Sequence, residues 1–192
     1  MGYPSPMSSS FVYHPHVYQS DGTVVTPDIV IDRVFASGAD GLAPVPVSHL
    51  TSTAVLQQVA EAPVGAPAVV LVAASFGMLI SVGAIFGDAL PVARSAWRYD
   101  DIRDGYGDIR LGSWTTDGGR RTAFVAENLS ALLQPEDAMH ALGNPSGLKP
   151  GTAVFIGHPA RLGESLAANR FEVALETDKR LLNYGFDIER LG

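Results

Sequence analysis

The sequence predicts a mainly β fold with a few short helices, and three observations carry that expectation. Short apolar runs rich in valine and isoleucine recur along the chain, clusters of Gly, Pro, Asp and Ser separate them, and only a few stretches show a helical period. The chain has 192 residues, of which 46% are hydrophobic and 17% charged, enough to fill one large core and too apolar for disorder. One globular domain over 23–192 is expected, preceded by a flexible arm over 1–22 that is rich in Ser, Pro, Tyr and His.

From Asp28, the run Ile29-Val30-Ile31 with Val34-Phe35 reads as a strand, ended by the turn residues Ser37–Gly41. Val55, Leu56 and Val59 share a helical face over Ser52–Glu61, with Pro63 as the stop; a strand through Ala54–Val59 is the alternative. Ala66–Phe86 is the longest apolar stretch and is about long enough to cross a bilayer. Its Pro67, Gly77 and Gly83 and its β-branched content favour two buried strands turning at Ser75-Phe76-Gly77. Asp88–Asp104 is dense in polar and aromatic residues and reads as a short helix or turn. Ile109–Trp114 and Thr122–Val125 alternate like strands joined at Asp117-Gly118-Gly119. Asn128–Leu142 is the clearest helical stretch, broken at Pro135. Ala153–Ile156, Arg170–Glu176 and Gly185–Leu191 return to β.

The charge balance narrows function. Thirteen Lys and Arg against twenty Asp and Glu leave a net charge of -7, which disfavours a nucleic-acid partner because phosphate binding needs clustered cations. No cysteine is present, so disulfides, thiolate catalysis and Cys-based metal sites are excluded. Met1–Ser10 has neither a cationic start nor a following apolar core, so a cytoplasmic protein with no membrane partner is expected.

No phosphate-binding loop, dinucleotide fingerprint, zinc-protease motif or nucleophile elbow occurs. His14-Pro15-His16 lacks a third ligand nearby and reads as an ordinary loop. Asp100-Asp101 beside Tyr99 could supply a general base, although adjacent acids most often form a solvated turn. Glu172 and Glu176 lie on one side of a regular strand and form its solvent-facing edge. His158, between Gly157 and Pro159 at the end of an apolar strand, stands where a rigid sheet presents functional groups; a structural histidine is the competing reading.

The run Pro91–Ile102, with Trp97-Arg98-Tyr99-Asp100-Asp101 at its centre, is followed by Leu111-Gly112-Ser113-Trp114, Gly151–His158, Arg170-Phe171-Glu172 and Tyr184–Glu189. Together these resemble an uncharacterised bacterial family of the fumarylacetoacetate hydrolase superfamily, over roughly residues 24–191. The resemblance implies a twisted β-barrel-type core and chemistry on enolisable keto acids, usually with Mg²⁺ or Mn²⁺ held by carboxylates. The departures are specific. Where the family continues from Val-Gly into Ser-Asp-His-Thr-Asp-Arg and later Lys-Pro, this chain runs from Val82-Gly83 into Ala84–Pro91. The family's acidic Ser-Gly-Glu stretch aligns with Val64–Pro67, a helix after the first strand pair is missing near Gly41–Pro44, and the family's late Gly-Thr becomes Gly157-His158.

Mg²⁺ needs oxygen donors that Val and Ala cannot replace, so no metal or other cofactor is expected. The resulting expectation is a metal-independent enzyme on a keto acid or related apolar small molecule, of isomerase, lyase or cyclase type. His158 and Asp101 would serve as acid/base groups, and Arg98, Trp97, Tyr99 and Trp114 as substrate-binding residues converging on one cavity. A homodimer is among the expected assemblies. The alternative is a non-catalytic ligand-binding or structural member that kept the scaffold alone.

Overall fold

The computed structural model describes residues 10–38, 40–58, 65–144, 146–158 and 168–190. In chain order the strands are β1 (Phe11–Tyr13), β2 (His16–Tyr18), β3 (Val24–Val25), β4 (Ile29–Ile31), β5 (Arg33–Gly38), β6 (Gly41–Val45), β7 (Leu50–Thr51) and β8 (Val55–Gln58). They continue as β9 (Gly65–Ala74), β10 (Gly77–Phe86), β11 (Leu90–Pro91) and β12 (Ser95–Arg98). A short helix α1 (Tyr99–Ile102) precedes β13 (Arg110–Asp117) and β14 (Arg120–Asn128). Helix α2 (Pro135–Ala141) precedes β15 (Thr152–Gly157), β16 (Arg170–Glu176) and β17 (Leu181–Arg190).

An eight-stranded sheet ordered β3-β2-β12-β10-β9-β15-β5-β6 packs against a five-stranded sheet ordered β14-β13-β16-β17-β8. Alternation along each strand assigns the faces. Val69 and Leu71 of β9, Ile80, Val82, Ala84 and Phe86 of β10, and Val154 and Ile156 of β15 meet Leu111, Phe171, Val173, Leu175 and Phe186 of the second sheet. The opposite face of the first sheet, through Ala68, Val70, Val72 and Phe155, is covered by Tyr13, Ile29, Ile31, Leu50 and Leu90. Burial on both sides explains why β9 is apolar at every position.

The hairpin read at 69–82 is present in full register, Gly77 pairing Ala74 through to Phe86 pairing Gly65. The β13–β14 hairpin turns at Gly118-Gly119, whose φ values of 59° and 83° suit glycine and a tight two-residue turn. The expected break at Pro135 is also present: a 3-10 turn, Leu129–Ala131, ends before α2 opens with Pro135 in its first turn. The barrel-type core takes the form of open sheets; among the described residues none closes on itself.

Three local readings differ from the structure. Val55–Gln58 is a strand, paired in parallel with β17, so the strand alternative holds there and edge pairing overrides the helical period; the rest of that stretch, from Val59, lies outside the described residues. Ser95–Arg98 is a strand between β10 and β2, and the helical turn begins only at Tyr99. The part of the expected flexible arm that is described is built into sheets: Val17 pairs Val25 and Ala96, and Tyr13, 1% exposed, donates its hydroxyl to the Ala93 carbonyl. Among the described residues no helix is long and apolar enough to cross a membrane.

Candidate functional site

The two segments at which the resemblance implied missing acidic residues lie side by side. Gly65, Ala66 and Pro67 pair with Phe86, Ile85 and Ala84, and Pro67, Ala84 and Phe86 face the second sheet by strand alternation. His158 is placed beside them. Its backbone N–H donates to the Pro67 carbonyl at 3.0 Å. One residue earlier, the Ser37 hydroxyl accepts from the Gly157 N–H at 3.0 Å and donates to the Phe155 carbonyl at 3.3 Å. The strand end is therefore held from both neighbouring strands.

His158 continues the alternation of Val154 and Ile156, which directs its ring between the sheets, where the residue is 7% exposed. Across the gap, Glu127 of β14 lies opposite Leu111. Directly opposed residues share a face, and Leu111 belongs to the inter-sheet core, so Glu127 also points inward, from an edge strand. Its Oε1 is 3.9 Å from His158 Nε2. A buried imidazole facing a half-exposed carboxylate can take up a proton and have the resulting charge compensated.

The remaining predicted residues are elsewhere. Arg98 pairs Leu79, five residues along β10 from the Ala84 that faces Pro67, a separation of roughly 17 Å at the rise of a strand. Helix α1 begins at that far end, directly after Arg98. Arg98 donates to the Gln19 side chain at 3.0 Å, and Asp101 accepts from the Ser20 N–H at 3.1 Å. Both tie down the chain after β2. Tyr99 is buried and donates to Glu136 at 2.6 Å; burial, and then Glu136, hold its phenol above its ordinary value.

Trp97 is 1% exposed within the inter-sheet core, with the Arg180 guanidinium 5.9 Å from its ring. Trp114 lies on the outer face of the second sheet, across Gly112 and under Arg121 at 4.4 Å. On that face Glu172 and Glu176 pair with Arg121 and Arg110, which makes them solvent-side ion pairs as read.

Two site residues were missed. Glu127 is hidden by a bulge: Ser113 pairs Val125 but Trp114 pairs Ala123, leaving Phe124 as an extra residue. Counted from the turn without that residue, Glu127 falls on the outside. Ser37 lies in a turn-like Ser-Gly run and carried no distinctive signal.

The divalent cation implied by the family resemblance does not fit this donor set. One imidazole and one carboxylate converge here, and among the described residues no three His, Asp or Glu side chains are grouped to hold a metal ion. The inter-sheet space beside Pro67 is filled by Phe86, whose ring meets Phe171 and Phe186 edge-on at 6.0 and 5.6 Å.

The model of a family described as a protein of unknown function, DUF2848, matches residues 87–184, just over half of the chain. No curated protein is similar in sequence. Among solved structures, a yeast fumarylacetoacetate hydrolase family protein, ynq8, has a TM-score of 0.61 at 9% identity, covering 83% of this chain and 93% of that one. Cg1458 gives 0.58 at 13% identity over 88% and 80%. A 2-keto-3-deoxyarabinonate dehydratase gives 0.53 at 10% identity over 90% and 86%. The fold is that of the fumarylacetoacetate hydrolase family.

Proposed function

The chain belongs to the DUF2848 family, and from that footing we propose that it is a metal-independent enzyme that moves a proton on an enolisable keto acid or a related apolar small molecule. The observation that carries this reading is the buried His158, 3.9 Å from Glu127, beside the paired strand segments Gly65–Pro67 and Ala84–Phe86. In its neutral form the imidazole takes the proton from the carbon next to the carbonyl, and the C–H electron pair moves toward the carbonyl oxygen. Glu127 stabilises the imidazolium until the proton is returned to oxygen or carbon. Asp101, at the far end of β10, anchors the Ser20 backbone in this reading, and Arg98 and Tyr99 support the same end.

Phenylpyruvate tests the proposal, because its enol and keto forms are distinguished by ultraviolet absorption. The protein should accelerate their interconversion equally with Mg²⁺ or with EDTA. His158→Ala should lower the rate at least roughly tenfold, and Glu127→Gln should lower it less. No acceleration by the unaltered protein, or activity only with metal, refutes it. One observation favours a second reading, a non-catalytic scaffold: Phe86, Phe171 and Phe186, all 0% exposed, fill the space between the sheets. Under that reading His158→Ala leaves every rate unchanged.

A further inference from the structure

Ser113 carries a hydroxyl that the fold does not use. The residue is 0% exposed, and its Oγ has no hydrogen-bond partner among the described residues. A serine at a packed strand position ordinarily satisfies its hydroxyl on a nearby carbonyl, because an orphaned buried donor costs free energy. The strand register shows where this one points. Ser113 lies opposite Val125 on one side and Val173 on the other, and Val173 belongs to the inter-sheet core. The hydroxyl therefore faces the first sheet, as do Leu111 and Glu127. Ser113 and Glu127 are cross-strand diagonal neighbours, about 7–8 Å apart. The bulge at Phe124 falls between Ser113 and Trp114, the kind of irregularity that aims side chains at a site.

We propose that Ser113 is the oxygen-binding residue of the His158 site, donating its hydroxyl hydrogen to the substrate's carbonyl oxygen. This rests on the proton-transfer reading above. When His158 removes the proton from the adjacent carbon, the C–H pair forms the C=C bond and the carbonyl π pair moves onto oxygen, which becomes an enolate. The Ser113 O–H holds that negative oxygen, and the imidazolium then returns the same proton to it. No electrons or atoms enter from outside. A preorganised donor aimed at the oxygen where charge develops acts on the transition state more than on binding. The hydroxyl then has a partner only while substrate is bound.

Phenylpyruvate enol–keto interconversion separates the two readings, using the unaltered protein, Ser113→Ala, His158→Ala and the double variant. Ser113→Ala should lower kcat roughly tenfold or more, leave KM within about twofold and keep or raise the melting temperature, since it deletes an unsatisfied group. Combined with His158→Ala it should cost little further, because both side chains serve one step. If His158→Ala is slow and Ser113→Ala matches the unaltered protein, the role of Ser113 is overturned and that of His158 stands. A slower Ser113→Ala whose melting temperature also falls is a packing defect and equally overturns it. No acceleration by the unaltered protein removes both.

Discussion

Replacing Gly83 by alanine is expected to be severe, and its cost can be worked from the neighbouring backbone. A Cβ at position 83 would stand 2.2 Å from the Pro91 carbonyl oxygen and 3.2 Å from a Val70 methyl. Ordinary contacts begin near 3.4 Å, so the Leu90–Ala93 segment must retreat by more than about 1 Å, further than a close-packed interior absorbs. That segment is fixed by three hydrogen bonds: Ala93 N–H to the Val82 carbonyl, Val92 N–H to the Thr51 carbonyl and the Ser52 hydroxyl to the Val92 carbonyl, each 2.9 Å. Losing or stretching them costs about 1 kcal/mol apiece. Crowding against Val70 adds about 1–3 kcal/mol, and the stiffer unfolded chain returns about 0.4–1 kcal/mol. With partial relaxation, the expected loss is about 2–4 kcal/mol. Urea unfolding should show a midpoint lower by about 1–2 M with unchanged slope. Gly105→Ala is the control, because nothing lies within 4 Å of its Cβ position and its φ is -108°; it should shift stability by less than about 0.5 kcal/mol. A loss below about 1 kcal/mol for Gly83→Ala would falsify the close-approach argument.

Two further outcomes follow from the structure. Mg²⁺, Mn²⁺ and EDTA should leave the melting temperature unchanged, since a native-state ligand raises apparent stability; a metal-dependent rise of several degrees contradicts the donor-set argument. The Tyr184 phenol, which donates to the Thr53 carbonyl at 2.6 Å, is pushed up by burial from 10.0 to about 12. A raised folded-state value means its stabilisation is complete below pH 10 and is lost as pH rises through about 12. Tyr184→Phe should flatten the alkaline limb of the stability profile in that window, and an unchanged limb refutes the assignment.

What could be read from the sequence divides along physical lines. The 69–82 hairpin was legible because burial on both faces imposes an unbroken apolar run, and the 117–119 turn because only glycine suits its backbone. Val55–Gln58 was not, because its apolar spacing fits a helix as well as a strand and its partner, β17, lies some 130 residues later. The strand at His16–Tyr18 was hidden for the same reason: β2 pairs with β12, about 80 residues later. In the site, Gly157-His158-Pro159 gave His158 a local signature. Glu127 had none, since one bulged residue sets its side, and Ser113 looks like any polar residue in an alternating strand. Asp101 and Arg98 stand in a local cluster of reactive residue types, and their hydrogen bonds to Ser20 and Gln19 join parts of the chain about 80 residues apart, which no local pattern signals.

The position of β15 in the middle of the large sheet has a consequence for synthesis. It enters between β9 and β5, yet its last residue, Gly157, follows the end of β9, Ala74, by 83 residues. At about 5–20 residues per second, a ribosome leaves that interval open for about 4–17 s. For most of it, once β10 has been made, the uniformly apolar β9 has β10 on one side and a bare row of backbone donors and acceptors on the other. Such an edge can template pairing with another chain. The yield of folded protein in cells should therefore respond to translation speed across residues 75–157.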